Sequence, residues 1–160
     1  MTCFSIILCL GQSGRSGIKM NKFPRIKVDF IIEGNNLDLE KLTKAINIFP
    51  TETRNIDDWP ETIKNSPEIP EELQPRYVWC ISQEENLCRQ VEIPINRIIV
   101  QINGKEREIY EFCKKNNLKK SLCITVHAET MYLPEMVLSP FTISYFGKLE
   151  TEIGFDIYTY

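Results

Sequence analysis

The chain has 160 residues, 42% hydrophobic and 26% charged, with a formal net charge of −3. That length suits one domain able to bury roughly two-thirds of its unfolded surface, which excludes a disordered chain, a collagen-like repeat and a disulfide-dependent miniprotein. No run of about 20 apolar residues is present to span a membrane, and the slightly acidic balance gives no general ground for nucleic-acid binding.

Residues 1–19 read as foreign to the rest of the chain. The apolar run Cys3–Leu10, interrupted by Ser5, has the length of a signal-peptide core, but Met1-Thr2 lacks the basic region such a peptide needs. Gln12–Gly17 is small, polar and linker-like. Arg15-Ser16-Gly17 can be encoded by a purine-rich, ribosome-binding run, with Ile18 and Lys19 as the spacer before Met20. The expectation is a translated leader or mis-assigned start over 1–19 and a single α+β domain over 20–160. A short disordered tail or weak export signal is the alternative. On the first reading 141 residues remain, and losing Arg15 and Lys19 takes 19 basic residues to 17 against 22 acidic, a net charge of −5. Four cysteines are left: Cys80, Cys88, Cys113 and Cys123. No pair has the C-x-x-C spacing of a zinc or redox site, and scattered cysteines without a secretory signal point to reduced thiols in a cytoplasm.

Residues 25–33 alternate, with Ile26, Val28, Phe30 and Ile32 on one face and Lys27, Asp29, Ile31 and Glu33 on the other, which predicts a half-buried strand. Gly34-Asn35-Asn36 reads as the turn out of it, and Asp38 can cap a helix in which Leu39, Leu42, Ile46 and Phe49 recur to about residue 48. Pro50 stops that helix. Residues 51–75 carry four prolines, and from Glu52 to Glu72 there are seven acidic and two basic residues. This predicts a long acidic loop, either a solvated excursion or a recognition loop.

Arg76–Ser82 predicts a second strand, followed by a polar connection over 83–90. Ile95, Ile98, Ile99 and Ile102, then Ile109, Phe112 and Cys113, predict two helical pieces over 94–102 and 105–117, broken at Asn103-Gly104. Asn-Gly after a β-branched run is also a hairpin signal, but KEREIYEFCKKNN is helix-forming and does not alternate. Residues 121–129 predict a third strand. Ser139-Pro140 starts a helix to about 149, a hydroxyl cap with proline at the first helical position, and 153–159 predicts the last strand. The expected fold is α+β: a two-layer sandwich on a four-stranded sheet, two β-α-β units joined by helices, a ferredoxin-like relative with both outer helices on one side.

Several pieces in fixed order carry a family resemblance: the strand and Gly34 opening, Ile48-Phe49-Pro50-Thr51, Trp79-Cys80-Ile81, Pro134–Ser139, and Phe155-Asp156-Ile157-Tyr158. Over roughly residues 26–159 the chain resembles an uncharacterised bacterial family, domain of unknown function 4279. The resemblance implies a small stand-alone protein starting close to the first strand, in keeping with Met20. It implies no activity, cofactor or catalytic residue. A glycine usual after Thr51 is absent here. An analogy with toxin neutralisation or defence comes with the resemblance, at the level of the fold alone.

If helices cover one sheet face, the other carries Asp29, Thr125, His127, Glu129, Asp156 and Tyr158, with Tyr77 or Trp79 beside them. Such a face can be plain solvated sheet, a partner or dimer surface rich in aromatic contact, or a site where His127 acts as acid or base. No phosphate loop, dinucleotide fingerprint or nucleophile elbow is present. No cluster has metal-ligand spacing, and no cofactor is expected. The lysines Lys114, Lys115, Lys119 and Lys120 are expected to complement a helix C-terminus, with contact to phosphate as the alternative. The function expected is a non-enzymatic module in the cytoplasm, immunity- or defence-associated. It binds a protein partner or itself, without nucleic acid or membrane, through the sheet face or the acidic residues Asp57, Asp58, Glu61, Glu71 and Glu72. A small-molecule binder or enzyme using the polar face, and a homodimeric structural protein, are the alternatives.

Overall fold

A computed structural model describes residues 24–64, 66–70 and 74–160. The expected leader, Glu71 and Glu72 lie outside the described residues. In chain order the elements are β1 (Arg25–Gly34), α1 (Leu39–Ile46), β2 (Glu52–Arg54), a short α2 (Glu61–Lys64), β3 (Tyr77–Asn86), α3 (Glu92–Ile102), α4 (Glu106–Lys115), β4 (Lys119–Ala128), α5 (Pro140–Lys148) and β5 (Glu152–Thr159).

The strands form one mixed sheet in the order β2-β3-β1-β4-β5. β1 is antiparallel to both β3 and β4, β2 is antiparallel to β3, and β4 and β5 are parallel. The sheet therefore has five strands, not the four expected, and the ferredoxin-like layout gives way to a different one. β1 and β3 do not close a β-α-β unit, because they run antiparallel. Helix α1 instead leads from β1 to β2, which run parallel with β3 between them. Helices α3 and α4 lead from β3 to β4, parallel with β1 between them. Only β4-α5-β5 is the adjacent parallel unit the sequence pattern predicts. The missed strand, β2, spans three residues inside the proline-rich stretch, too short for any alternation to register.

The α+β class stands, with a single open mixed sheet. Ile26, Val28, Phe30 and Ile32 of β1 are fully buried in one core with Trp79 and Ile81 of β3, Leu122, Ile124 and Val126 of β4, and the apolar stripes of the helices. Burying each such side chain contributes about 1.5–3 kcal/mol, so this face holds the fold together. The helix starts follow the expected chemistry. The Asp38 side chain accepts from the Lys41 N–H, and the Ser139 hydroxyl accepts from the Thr142 N–H ahead of Pro140. Helix α1 ends early, at Ile46, because Asn47 takes the left-handed conformation of a C-terminal cap (φ 54°). Its expected apolar stripe stops there, leaving Phe49 84% exposed. The break between α3 and α4 falls at Gly104, which has φ 78°.

Two boundaries move for reasons of pairing. β3 runs on to Asn86 because Arg25–Asp29 of β1 supply a ladder for Ser82–Asn86, overriding the polar composition there. Gly34 is the last residue of β1 and not a turn residue. A Cβ on it would stand 2.7 Å from Leu118 Cδ2, where the chain enters β4.

Candidate functional site

The ladder register turns the sheet face opposite Trp79 into a grid, whose centre, Ile31, Cys80 and Cys123, is buried in a small cluster of its own. Asp29 stands between Ser82 and Cys123, Lys27 between Glu84 and Thr125, and Arg25 between Asn86 and His127. Thr125 pairs with Asp156, and His127 with Tyr158. Thr125, His127, Asp156 and Tyr158 thus form one contiguous quarter of the face.

Asp29 is only 5% exposed, and its carboxylate is fully engaged. Lys27 Nζ lies 3.1 Å away, the Ser82 hydroxyl donates to it at 2.5 Å, and the Cys80 thiol stands at 3.9 Å. Burial alone would lower the pKa of Lys27, but the Asp29 carboxylate outweighs it and holds the ammonium above its ordinary value. Burial pushes the Cys80 thiol up to about 12, against the hydrogen bond it shares with Ser82. A thiol of that pKa is no nucleophile at neutral pH. The cluster is a satisfied polar network that fixes β3 on β1.

His127 stacks on Tyr158, with ring centroids 4.8 Å apart and planes 11° from parallel. Burial lowers its pKa, the Arg25 charge adds to that, and Glu84 opposes it, so the imidazole is neutral at pH 7. Asp156 accepts from the Cys123 thiol at 3.5 Å. Three candidates are placed apart from this quarter. Trp79 is fully buried on the opposite, helix-covered face, where its Nε1–H donates to the Thr43 hydroxyl at 3.1 Å. Tyr77 shares that side and packs against the core. Glu129 lies one residue past the end of β4, at the entry to a 3-10 turn over Thr130–Tyr132. Two surface cavities, of about 360 and 550 Å³, are lined by Gln83, Asn96, Arg97, Val100 and Gln101 and by Pro24, Arg89, Gln90, Met131, Tyr132, Leu133 and Glu135. Neither includes a sheet-face candidate.

The segment expected to be one acidic loop is structured in part. β2 is followed by a 3-10 turn over Ile56–Asp58 and by α2. Asp57, Asp58 and Glu61 are exposed there, but each has local work. Asp58 accepts from the Asn55 N–H, and Glu61 and Asp57 stand 2.9 and 3.9 Å from Lys64 Nζ. Its field is therefore weaker than the residue count implies.

The surface feature that sequence reasoning passed over is the connection after β4. Met131, Tyr132, Leu133, Met136 and Val137 are all exposed, Met131 at 87%. The connection is held in place from both ends. Glu135 N–H donates to Arg89 C=O at 2.7 Å, and Val91 N–H donates to Glu135 C=O at 3.1 Å. Glu92 Oε1 accepts from the Ser139 N–H at 2.6 Å and the Thr142 hydroxyl at 2.8 Å. The signal available in the sequence was five large apolar residues in an eight-residue linker (TMYLPEMV) with no helical or strand period.

Among the described residues no group of three or more His, Cys, Asp or Glu is placed to hold a metal ion, and no helix is long and apolar enough to cross a membrane. The family described as domain of unknown function (DUF4279) matches residues 24–160. No curated protein and no solved structure matches the chain.

Proposed function

This chain belongs to the DUF4279 family, and we propose that it works by binding a macromolecular partner and not by catalysing a reaction. The observation that carries this reading is the set of exposed apolar side chains Met131, Tyr132, Leu133, Met136 and Val137, on the connection that follows β4 and is tied to Arg89 and Val91 through the Glu135 backbone. Contiguous exposed apolar surface on a soluble fold marks a contact site, and aromatic and methionine side chains are enriched in such contacts. In this reading the polar quarter of Thr125, His127, Asp156 and Tyr158 serves as the rim. An enzyme reading is disfavoured by the same geometry, since Asp29 is sealed in its network and His127 lines neither of the two cavities described above. An immunity- or defence-associated setting rests on the family resemblance alone, and the exposed Asp57, Asp58 and Glu61 then steer a basic partner.

The test is retention of partner from an extract of the native host on three immobilised chains: wild type, Met131→Asp with Leu133→Asp, and Asp57→Asn with Asp58→Asn and Glu61→Gln. The first variant loses the specific partner outright; the second slows its capture at low salt only. A partner retained equally by all three refutes both surfaces.

A further inference from the structure

The two edges of the sheet are built differently. At one edge, β2 offers three residues and carries the Glu52–Arg54 ion pair at 2.7 Å, the short and charged kind of edge that resists further pairing. At the other, β5 offers eight residues, EIGFDIYT, with no lysine and no proline. Among the described residues it has β4 on one side and no strand on the other. On its helix-facing side Phe155 and Ile157 remain 37% and 45% exposed, although their ladder partners Ile124 and Val126 are fully buried. The helix layer therefore stops short of β5, which leaves an open backbone ladder and an apolar row together.

We propose that β5 pairs antiparallel with β5 of a second copy of this chain, joining two five-stranded sheets into one of ten strands with both helix layers on the same side. A two-fold axis perpendicular to the sheet must pass through a residue of β5 paired with its own copy, so that facing side chains share a face. Only Phe155 and Asp156 lie close enough to the strand's middle to use its whole length. An axis at Asp156 sets two carboxylates against each other, which is destabilising. An axis at Phe155 sets Phe155 against Phe155 and Ile153 against Ile157 on the helix side. On the open side it sets Gly154 against Asp156, and Glu152, already neutralised by Lys119 at 2.9 Å, against the phenol of Tyr158. Every pair is then apolar with apolar, small with charged, or acceptor with donor.

The exposed parts of Phe155, Ile157, Tyr158 and Tyr160 amount to roughly 400 Å² per chain, and the backbone edge adds to that. This falls short of the ~800 Å² per partner of a standard interface, so the dimer is weak and concentration-dependent. It shares the rim residues Asp156 and Tyr158 with the partner-binding surface but not the Met131–Val137 side chains that carry that reading, and Ile157→Lys tests the dimer alone.

The experiment is sedimentation velocity of the full chain from about 5 to 500 µM, with amide exchange of β5 followed in parallel. The expected result is a shift from one chain's mass towards two, with protection of the outward β5 amides rising alongside it. Ile157→Lys, at an exposed position, holds the chain monomeric over the same range while its circular dichroism stays that of the wild type. Register is read by oxidation with Cys3 and Cys9 changed to Ser: Phe155→Cys cross-links to its copy, and Ile157→Cys does not. Four results each overturn the proposal: a monomer throughout, growth past two copies, cross-linking of Ile157→Cys without Phe155→Cys, or β5 amides already protected in the dilute monomer. A monomer that takes up another protein's strand at β5 overturns it too.

Discussion

Replacing Trp79 separates a core role from a surface role. The indole is fully buried on the helix side, in one continuous core that also holds Leu42, Ile46, Phe30 and the α3 isoleucines. Trp79→Ala removes the largest side chain there, and large-to-small changes of an aromatic cost about 3–5 kcal/mol. At roughly 2–4 °C per kcal/mol for a domain of this size, Tm falls by about 6–20 °C. Trp79→Phe keeps a ring and loses the Nε1–H donated to Thr43. The Thr43 hydroxyl still donates to Leu39 C=O at 2.8 Å, so no buried donor is orphaned, and the cost stays at about 1–2 kcal/mol. Thermal unfolding followed by far-ultraviolet circular dichroism checks both. In a Trp59→Phe background, Trp79 emission is blue-shifted and resists acrylamide until the chain unfolds. A Trp79→Ala cost below about 1 kcal/mol, or ready quenching of Trp79 in the native state, would refute the burial and return the ring to the open face.

Glu92→Gln weakens the clamp on the α5 cap in a pH-dependent way. The Ser139 N–H holds the Glu92 carboxyl below its ordinary value, burial opposes this, and the Thr142 hydroxyl adds to it. A depressed carboxylate stabilises the fold above its unfolded pKa and loses that contribution as pH falls through the folded one. The variant's urea midpoint is therefore lower at pH 7, and the gap to wild type closes below about pH 4. Cys80 and Cys113, pushed by burial to about 12 and about 11, stay unalkylated by iodoacetamide at neutral pH until urea is added; peptide mass spectrometry that finds either modified in the native chain contradicts that. Gly104→Ala costs about 1 kcal/mol through φ 78° alone, since a Cβ there meets nothing within 4 Å, and a variant melting at the wild-type temperature would remove the strain argument.

Local patterns carried α1, α3, α4 and α5, the caps of α1 and α5 and the break at Gly104, because period and end chemistry are properties of neighbouring residues, but they missed the four-residue α2. They did not carry the order of strands, since pairing partners are distant in sequence. Residues 77–82 show why even a found strand can be misread. Tyr77, Trp79 and Ile81 alternate with Val78, Cys80 and Ser82, and both sets are largely apolar. Which set faces the helices is fixed only by the register against β1, where Ile32 meets Trp79 and Phe30 meets Ile81. The same holds for Asp29. Its alternation placed it on the open face, but nothing local reveals that Lys27, Ser82 and Cys80 close over it.

The residues that carry the family resemblance have, for the most part, duties inside the fold. Gly34 admits Leu118, and Thr51 donates its N–H to Cys80 C=O and accepts the Ser82 N–H on its hydroxyl. Trp79 ties β3 to α1, Ser139 caps α5 under Glu92, and Asp156 takes the Cys123 thiol. A pattern made of such anchors specifies an architecture and leaves chemistry unspecified. What the fold does not use for its own stability is then where function has room. Those places are the apolar strip Met131–Val137, whose side chains face solvent while its backbone is pinned, the solvent-exposed Phe49, and the bare edge of β5. Substitutions at the anchors should move stability first and binding only as a consequence, whereas Met131→Asp and Ile157→Lys should leave Tm within about 1–2 °C of wild type and change only what the chain holds on to.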